Sequence, residues 1–114
     1  MSSLQASDKE AAAVAVAPRV ALADIEGAID AVYHVNGTDA VNESGCVALP
    51  SLKLLSICIL VMKNGFTIIG KSAPASAANF NADLGRKLAY EDAIRQLWPL
   101  MGYALRDRLQ GDAA

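Results

Sequence analysis

Small and alanine-rich residues fill the first 17 positions of the chain, and their spacing gives no apolar face that a helix could bury. We therefore predict a flexible, alanine-rich tail over residues 1–17. The pattern changes at Leu22, where apolar residues begin to recur at intervals of three and four while Asp24 and Glu26 fall between them. This spacing predicts a short amphipathic helix of about three turns, with Ala21 as its N-cap.

Residues 34–45 contain many turn formers, among them Asn36-Gly37 and Ser44-Gly45. Such a composition predicts a surface loop between regular elements. A lid over a binding site is the alternative interpretation, because functional loops share this composition.

A nearly continuous apolar run, Leu54–Met62, precedes Asn64-Gly65, and Phe66–Ile69 then resumes the same β-type composition. Asn-Gly is the strongest short signal for a two-residue type I′ turn, so the segment predicts a β-hairpin in which Val61 pairs with Ile68. Both faces of this hairpin are apolar. Helices can cover one face, and we expect the other face or the sheet edge to meet another copy in a homo-oligomer.

A second helical pattern follows Asn81, which is suited to cap its first turn. Small residues recur every four positions at Gly85, Ala89 and Ala93, and such a stripe lets another backbone approach closely. Pro99 has no amide hydrogen and clashes with the preceding turn, so we expect the last helix to be broken there.

The predicted elements form an α+β fold of order α-β-β-α, in which a central antiparallel β-hairpin packs with helices. A chain of 114 residues has room for one core, and we place a single domain at residues 18–110 with a disordered C-terminus at 111–114. The formal net charge is −2 and no basic block stands out, so a nucleic-acid surface is not expected.

Cys46 and Cys58 have neither the mutual spacing nor the histidine neighbours that a zinc site needs. Cys58 lies in an apolar run and is interpreted as a small buried hydrophobic residue. Free thiols indicate a reducing compartment, and the apolar runs are far shorter than the roughly 20 residues of a membrane helix. We therefore expect a protein of the cytoplasm without a metal or a cofactor.

The stretch from Gly65 to Ser72 reads G-F-T-I-I-G-K-S and fits the phosphate-binding pattern G-x-x-x-x-G-K-[ST]. A P-loop needs a helix that begins at the lysine, whereas Ala73 and Pro74 follow here. The four residues between the glycines also have the composition of a strand. We therefore expect a hairpin strand rather than the site of a nucleotide hydrolase.

No set of catalytic residues can be assembled from the sequence, and we predict that the protein is not an enzyme. His34 is the only histidine, and a solvated or capping role is expected for it. Trp98 and Tyr103 flank Pro99. We expect core packing for Trp98, and for Tyr103 either core packing or stacking on a planar ligand.

Three motifs in the C-terminal half together resemble one protein family. They are C-I-L-V-M-K-N-G-F-T-I-I-G-K-S-A from Cys58, N-F-N-A-D-L-G-R-K-L-A from Asn79 and W-P-L-M-G-Y-A-L-R from Trp98. The pattern is similar to that of a small tailed-phage protein family named for gene products 49 and 66 of its first members. The family commonly has glutamate in place of Lys71 and cysteine in place of Pro74. The charge that this position offers to a ligand is therefore positive in this chain, whereas it is commonly negative in the family.

The resemblance implies a phage accessory protein rather than a structural part of the virion. By analogy with small oligomeric phage proteins that act against host defences, it implies a sponge that sequesters a nucleotide-derived immune signal without cleaving it. We expect its site at a subunit boundary, in the cytoplasm of the infected bacterial host. The alternative is a protein–protein interaction module that binds and inhibits a host protein.

Five residues are predicted to bind the anionic ligand under this hypothesis. Ser72 and Asn79 would contact its polar edges. Arg86 and Arg106 would contact phosphate, and Tyr103 would stack on a planar group. Solvation at the surface is the alternative role for both arginines.

Overall fold

Three antiparallel strands in the order β1-β2-β3 form one sheet, and helices pack against one of its faces. The computed structural model describes residues 2–113. In chain order the elements are α1 (Ser3–Val14), α2 (Leu22–Gly27), β1 (Ile29–Asn36), α3 (Gly37–Glu43), β2 (Ser56–Met62), β3 (Thr67–Ser72) and α4 (Ala82–Ala113). Short 3-10 turns lie at Pro50–Leu54 and Ala77–Asn79. The arrangement confirms the predicted α+β class and the predicted hairpin, which is β2–β3.

The hairpin turns over three residues rather than the predicted two. The Met62 N–H donates to the Phe66 carbonyl at 2.8 Å, and Gly65 has a φ of 89°. This is the geometry of a turn followed by a glycine bulge. Asn64 does not take the positive φ that a type I′ turn requires; its side chain instead accepts the Phe66 N–H at 2.9 Å.

The longer turn shifts the strand register by one residue from the predicted pairing. Val61 lies opposite Thr67, and Ile68 lies opposite Leu60. Leu60 and Ile68 are buried on the face that the helices cover. The second face, which we call the outer face, is largely apolar, as predicted, with Thr67 and Lys71 of β3 as polar positions. Across the three strands it carries Tyr33, Val35, Ile57, Ile59, Val61 and Ile69.

Strand β1 occupies residues for which the sequence predicts the end of a helix and the start of a loop. Helix α2 has 6 residues and ends at Gly27, so Val32 lies in a strand and not on a third helical turn. Pairing with β2 overrides the helical spacing, because Val32 lies opposite Leu60. The predicted loop over 34–45 likewise begins as strand and continues as α3, a helix of 7 residues.

Helix α4 lies directly on the sheet because small residues line the contact. Ala89 and Ala93 are fully buried. A Cβ added to Gly70 of β3 would come within 2.1 Å of the Ala89 carbonyl oxygen and 2.6 Å of the Ala93 nitrogen. A Cβ added to Gly85 would collide with the Ser56 hydroxyl. The predicted small-residue stripe is confirmed, and the backbone that it approaches belongs to the same chain.

Helix α4 continues through Pro99, which corrects the predicted break of the last helix. It has 32 residues, and at about 1.5 Å per residue such a helix is about 48 Å long. A proline in a helix interior costs about 3 kcal/mol, and packing on the preceding turn offsets this cost. Leu97 is 2% exposed, and the Trp98 Nε1–H donates to the Val20 carbonyl at 3.0 Å. The core role predicted for Trp98 is confirmed.

Helix α1 lies in the segment for which the sequence predicts a flexible tail. Leu4 reaches the core with 6% exposure. The Asp8 carboxylate accepts hydrogen bonds from Arg19 at 3.0 Å and from the Leu22 N–H at 2.9 Å. These few contacts leave no periodic pattern in the sequence. At the other end α4 extends to Ala113, so residues 111–113 are helical; residues 1 and 114 lie outside the described part of the chain.

Candidate functional site

A polar cleft opens between strand β1 and the first turn of α4, and we call it the β1 cleft. Its volume is about 240 Å³. The residues that line it are His34, Val35, Asn36, Asp39, Ser56, Phe80, Ala82 and Arg86. Polar groups from two strands and two helices therefore meet in one concave space.

Two asparagines fix the helix starts that border the β1 cleft. The Asn81 Oδ1 accepts the Leu84 N–H at 2.9 Å and so caps α4, as predicted from the sequence. The Asn36 Oδ1 accepts the Thr38 N–H at 2.9 Å at the start of α3, and the Asn36 Nδ2–H donates to the Lys53 carbonyl at 2.9 Å. The cleft is therefore bordered by capped helices rather than by irregular loops.

Arg86 and Asp39 bring opposite charges to the β1 cleft. The Arg86 guanidinium pairs with Asp83 one turn earlier in α4, and the Arg86 side chain is still 48% exposed. Exposed ion pairs of this kind contribute little to stability, so a ligand can recruit the guanidinium. The positive end of the α4 dipole adds to its charge, whereas Asp39 offers an acceptor for N–H groups.

Ser72 and Asn79 share a second, smaller cleft with a volume of about 110 Å³. Phe80 lines both clefts. Arg86 lines the β1 cleft and is not among the residues of the smaller cleft. The other walls of the smaller cleft include Pro74, Leu84 and Leu88. The structure thus brings two of the five predicted ligand residues together and places a third in the neighbouring cleft.

Tyr103 and Arg106 lie far from the other predicted ligand residues. Both follow Arg86 along the same helix α4, and the step from Arg86 to Tyr103 corresponds to almost five turns, or about 25 Å. The Tyr103 side chain is 72% exposed. A single chain therefore cannot place all five residues around one small ligand. Their combination requires two copies and stays a prediction.

His34 lines the β1 cleft, a position that the sequence pattern did not predict. It lies in β1 opposite Cys58 and lines the cleft. Alternation along a strand puts Val32, His34 and Asn36 on one face, and this signal can be used only after β1 is recognised as a strand. Phe80 could have been found more easily, because it lies within the N-F-N motif.

The stretch from Gly65 to Ser72 is a turn followed by β3, as predicted, and no helix begins within residues 65–76. The Lys71 N–H donates to the Asp92 Oδ2 at 2.9 Å. Its backbone is therefore bound to α4 and is not open to a phosphate. The resemblance to a P-loop does not extend to the geometry.

Burial raises the pKa of the Cys58 thiol, which is 0% exposed. A thiol with a raised pKa stays protonated, so Cys58 is a core residue, as predicted, and is poorly reactive. Burial also raises the pKa of the Tyr90 hydroxyl, with smaller contributions from the charges of Glu26 and Cys58. Neither group lines either cleft.

Among residues 2–113, no group of three or more His, Cys, Asp and Glu side chains is placed to hold a metal ion. In the same part of the chain, none of the helices combines the length and the apolar character that crossing a membrane requires.

A family model described as Phage protein (N4 Gp49/phage Sf6 gene 66) family matches residues 20–109 of the chain. The matched region contains the whole sheet, both clefts and most of α4. The chain matches no curated protein and no solved structure. The family match covers well over half of the sequence and agrees with the motifs that begin at Cys58, Asn79 and Trp98. The chain therefore belongs to the phage protein family of N4 Gp49 and phage Sf6 gene 66.

Proposed function

We propose that this phage protein is a non-enzymatic homo-oligomer that binds a small, anionic, nucleotide-derived signalling molecule of the host and sequesters it. Such a protein acts as an anti-defence sponge in the cytoplasm of the infected bacterium. Membership of a phage family supports the setting. The β1 cleft supports the binding role.

The β1 cleft carries the proposal because it combines groups that suit the parts of a nucleotide. Arg86 supplies a charge-assisted donor for phosphate beside the capped start of α4. Phe80 supplies an aromatic ring that can contact a base. Asp39 and His34 supply hydrogen-bonding groups for the polar edge of that base.

The size of the β1 cleft favours a site that two copies complete. Pockets for small molecules usually measure about 300–1,000 Å³, whereas this cleft measures about 240 Å³. One copy therefore encloses only part of a larger nucleotide. In the proposal, Ser72 and Asn79 of the neighbouring cleft are further contacts, and Tyr103 and Arg106 take part only where another copy brings them close.

Binding without turnover is proposed because the cleft offers recognition groups rather than an activated nucleophile. Nucleophilic catalysis needs a hydroxyl or thiol within hydrogen-bonding reach of a base. Ser56, the hydroxyl residue of the same cleft, is only 7% exposed, which leaves its hydroxyl little access to a ligand. The proposed benefit to the phage is removal of the signal from solution.

Arg86→Ala tests the site directly. The measurement is native mass spectrometry of the full chain purified from bacterial cells with active defence signalling, which identifies any bound molecule of nucleotide mass. Titration of that molecule into the Arg86→Ala variant is then expected to show affinity reduced by about tenfold to a hundredfold, because a charge-assisted hydrogen bond is lost.

Lys87→Ala is the matched control, since Lys87 is the next residue of α4, has the same charge and is not among the residues of the β1 cleft. Its affinity should equal that of the wild type. Equal losses in both variants would indicate a nonspecific charge effect, and unchanged affinity in Arg86→Ala would remove the β1 cleft as the site.

The outer face favours a second candidate function, a module that binds and inhibits a host protein. Ile69 is 60% exposed and Tyr33 is 58% exposed on this face. Three strands of about seven residues give a face of roughly 14 by 23 Å. Its largely apolar centre, with Thr67 and Lys71 along the β3 edge, resembles a protein interface more than a nucleotide site. Purification that retains a host protein at fixed stoichiometry and no nucleotide, with loss of that protein in Ile69→Lys, would favour this function over the sponge.

A further inference from the structure

The two edge strands of the sheet, β1 and β3, differ in whether other parts of the chain bond to their outward backbone groups. At the β3 edge, the Lys71 N–H donates to the Asp92 carboxylate at 2.9 Å. The Ile69 carbonyl accepts from the Gln96 Nε2–H at 2.8 Å. Two side chains of α4 thus occupy one donor and one acceptor on the side of β3 with which another strand would pair.

At the β1 edge, the ladder itself shows which backbone groups face outward. The Met62 N–H points to β3, because it donates to Phe66 across the hairpin. Groups alternate along an antiparallel strand, so Leu60 and Cys58 also point to β3, whereas the residues between them point to β1. Their partners on β1 are Ala31, Tyr33 and Val35.

Val32 and His34 therefore direct their N–H and carbonyl groups away from β2. No backbone or side-chain group in residues 2–113 bonds to these outward groups. Their side chains are also accessible on the helix-covered side, where Val32 is 41% exposed. Unpaired strand edges of this kind are templates for another strand.

We propose that β1 pairs antiparallel with β1 of a second copy and joins two three-stranded sheets into one of six strands. When each Val32 lies opposite the partner's His34, the outward groups of both residues form about four hydrogen bonds across a two-fold axis. The two Tyr33 side chains then meet on the outer face. Asp30, the only acidic residue of β1, lies at the far end of the strand from its counterpart.

Three properties of β1 favour a second copy over an unrelated strand. The pairing is self-complementary, because the same two residues supply donors and acceptors on both sides. Residues 31–36 contain no proline and no lysine, the residues that commonly block an exposed edge. A sheet of six strands also has the size that is usual in globular proteins, whereas three strands lie at the low end.

The pairing completes the proposed binding site, because both β1 clefts then open on the same side of the joined sheet. Diagonal neighbours across such a pair are about 7–8 Å apart, so His34 and the partner's His34 can contact one ligand. Two clefts of about 240 Å³ each become adjacent across the axis. This inference deepens the proposed homo-oligomer, and Tyr103 and Arg106 lie outside the site it forms.

Val32→Pro tests the pairing without any ligand. The substitution removes an outward N–H, which leaves the β1–β2 ladder intact while blocking the edge. In sedimentation velocity on the full chain, the wild type is expected to be a dimer or an even-numbered oligomer. Val32→Pro is expected to weaken self-association by about a hundredfold, because two hydrogen bonds are lost in each dimer. Circular dichroism checks that the variant is folded.

Ile69→Lys serves as the control, because Ile69 lies on the outer face and two strands away from the β1 edge. It should leave the mass of the oligomer unchanged. A monomeric wild type, or a folded Val32→Pro variant of unchanged mass, overturns the pairing. Loss of the oligomer in Ile69→Lys alone would assign self-association to the outer face instead.

Amide hydrogen exchange of the wild type gives a second readout that does not depend on the folding of a variant. Paired edges protect the Val32 and His34 amides as strongly as the Tyr33 amide of the β1–β2 ladder. Exchange of Val32 and His34 at the rate of exposed backbone overturns the pairing. A dimer that binds no nucleotide would refute the proposed function and leave the pairing standing, so the two failures are distinguishable.

Discussion

Asp8 binds helix α1 to the segment that follows it, because its carboxylate accepts two hydrogen bonds. The pKa of Asp8 lies below its ordinary value of 3.8. The hydrogen bond from the Leu22 N–H is the largest cause, and the hydrogen bond from the Arg19 guanidinium is the next. A folded-state pKa that is lowered gives a stabilising contribution that is complete at neutral pH. That contribution is lost as the pH falls from about 3.8 through the lower folded-state pKa.

Asp8→Ala is therefore expected to lower the Tm at pH 7, since it removes both hydrogen bonds that the Asp8 carboxylate accepts. The difference from the wild type should shrink as the pH falls below 3.8, because the wild-type carboxylate becomes protonated as well. Thermal unfolding followed by circular dichroism between pH 7 and about pH 2 measures both effects. Glu10→Ala, an exposed position of the same helix, is the control. Equal Tm values for the two variants at pH 7 would contradict the role of Asp8.

At the scale of elements, the contact between α4 and the sheet depends on residues without side-chain bulk. A Cβ at Gly70 would lie 2.1 Å from a backbone oxygen of α4, which cannot move without displacing the helix. Gly70→Ala is expected to reduce the free energy of unfolding by at least about 1–3 kcal/mol, the usual cost of overpacking a core. Urea denaturation measures this loss.

Gly102→Ala provides the matched comparison, because a Cβ at Gly102 meets nothing within 4 Å. Replacing glycine by alanine at this half-buried helical position should raise the free energy of unfolding by about 1 kcal/mol. The two variants add the same methyl group, so opposite signs isolate the close approach of Gly70 to α4. A neutral Gly70→Ala would show that α4 can move away from β3 at little cost.

Elements with a strong local signal could be predicted from the sequence, and those that depend on pairing could not. Asn81 and the Gly85–Ala89–Ala93 stripe identified the start and the buried face of α4. Strand β1 was missed because Leu22, Ile29 and Val32 also fit a helical spacing, and partnership with β2 decides between the two. The hairpin was predicted correctly. Its strand register was not, because Asn-Gly suits both a two-residue and a three-residue turn.

The candidate site was predicted only in part, for a related reason. Arg86, Ser72 and Asn79 carry motif signals and do line clefts. His34 and Asp39 join the β1 cleft through elements that the sequence pattern did not reveal. Tyr103 was selected for its chemistry, and helix length places it about 25 Å from Arg86.

The molecule as a whole is elongated for its chain length. Its radius of gyration is 17.1 Å, with extents of 55 × 29 × 18 Å, whereas a compact domain of this length has a radius of gyration of about 13 Å. The second half of α4 contributes to this shape and leaves Leu100 47% exposed and Tyr103 72% exposed. These features agree with a chain that is completed by association.

Asp92→Ala combined with Gln96→Ala is expected to change the size distribution of the protein. The double substitution removes the side chains that occupy the Lys71 N–H and the Ile69 carbonyl. The β3 edge then becomes available for pairing. Light scattering should detect species larger than those of the wild type, and the double variant with Val32→Pro should lose them. An unchanged size distribution would show that the α4 side chains are dispensable for closing this edge.

The closed β3 edge determines how far assembly through the sheet can proceed. If both edges were open, each added copy would present a fresh edge, and strands would accumulate without limit into a fibre. Asp92 and Gln96 obstruct the β3 edge, so pairing in this scheme uses only the β1 edge of each chain. Growth through the sheet therefore stops at two copies. In this scheme, two polar side chains of one helix distinguish a finite particle from an open-ended filament.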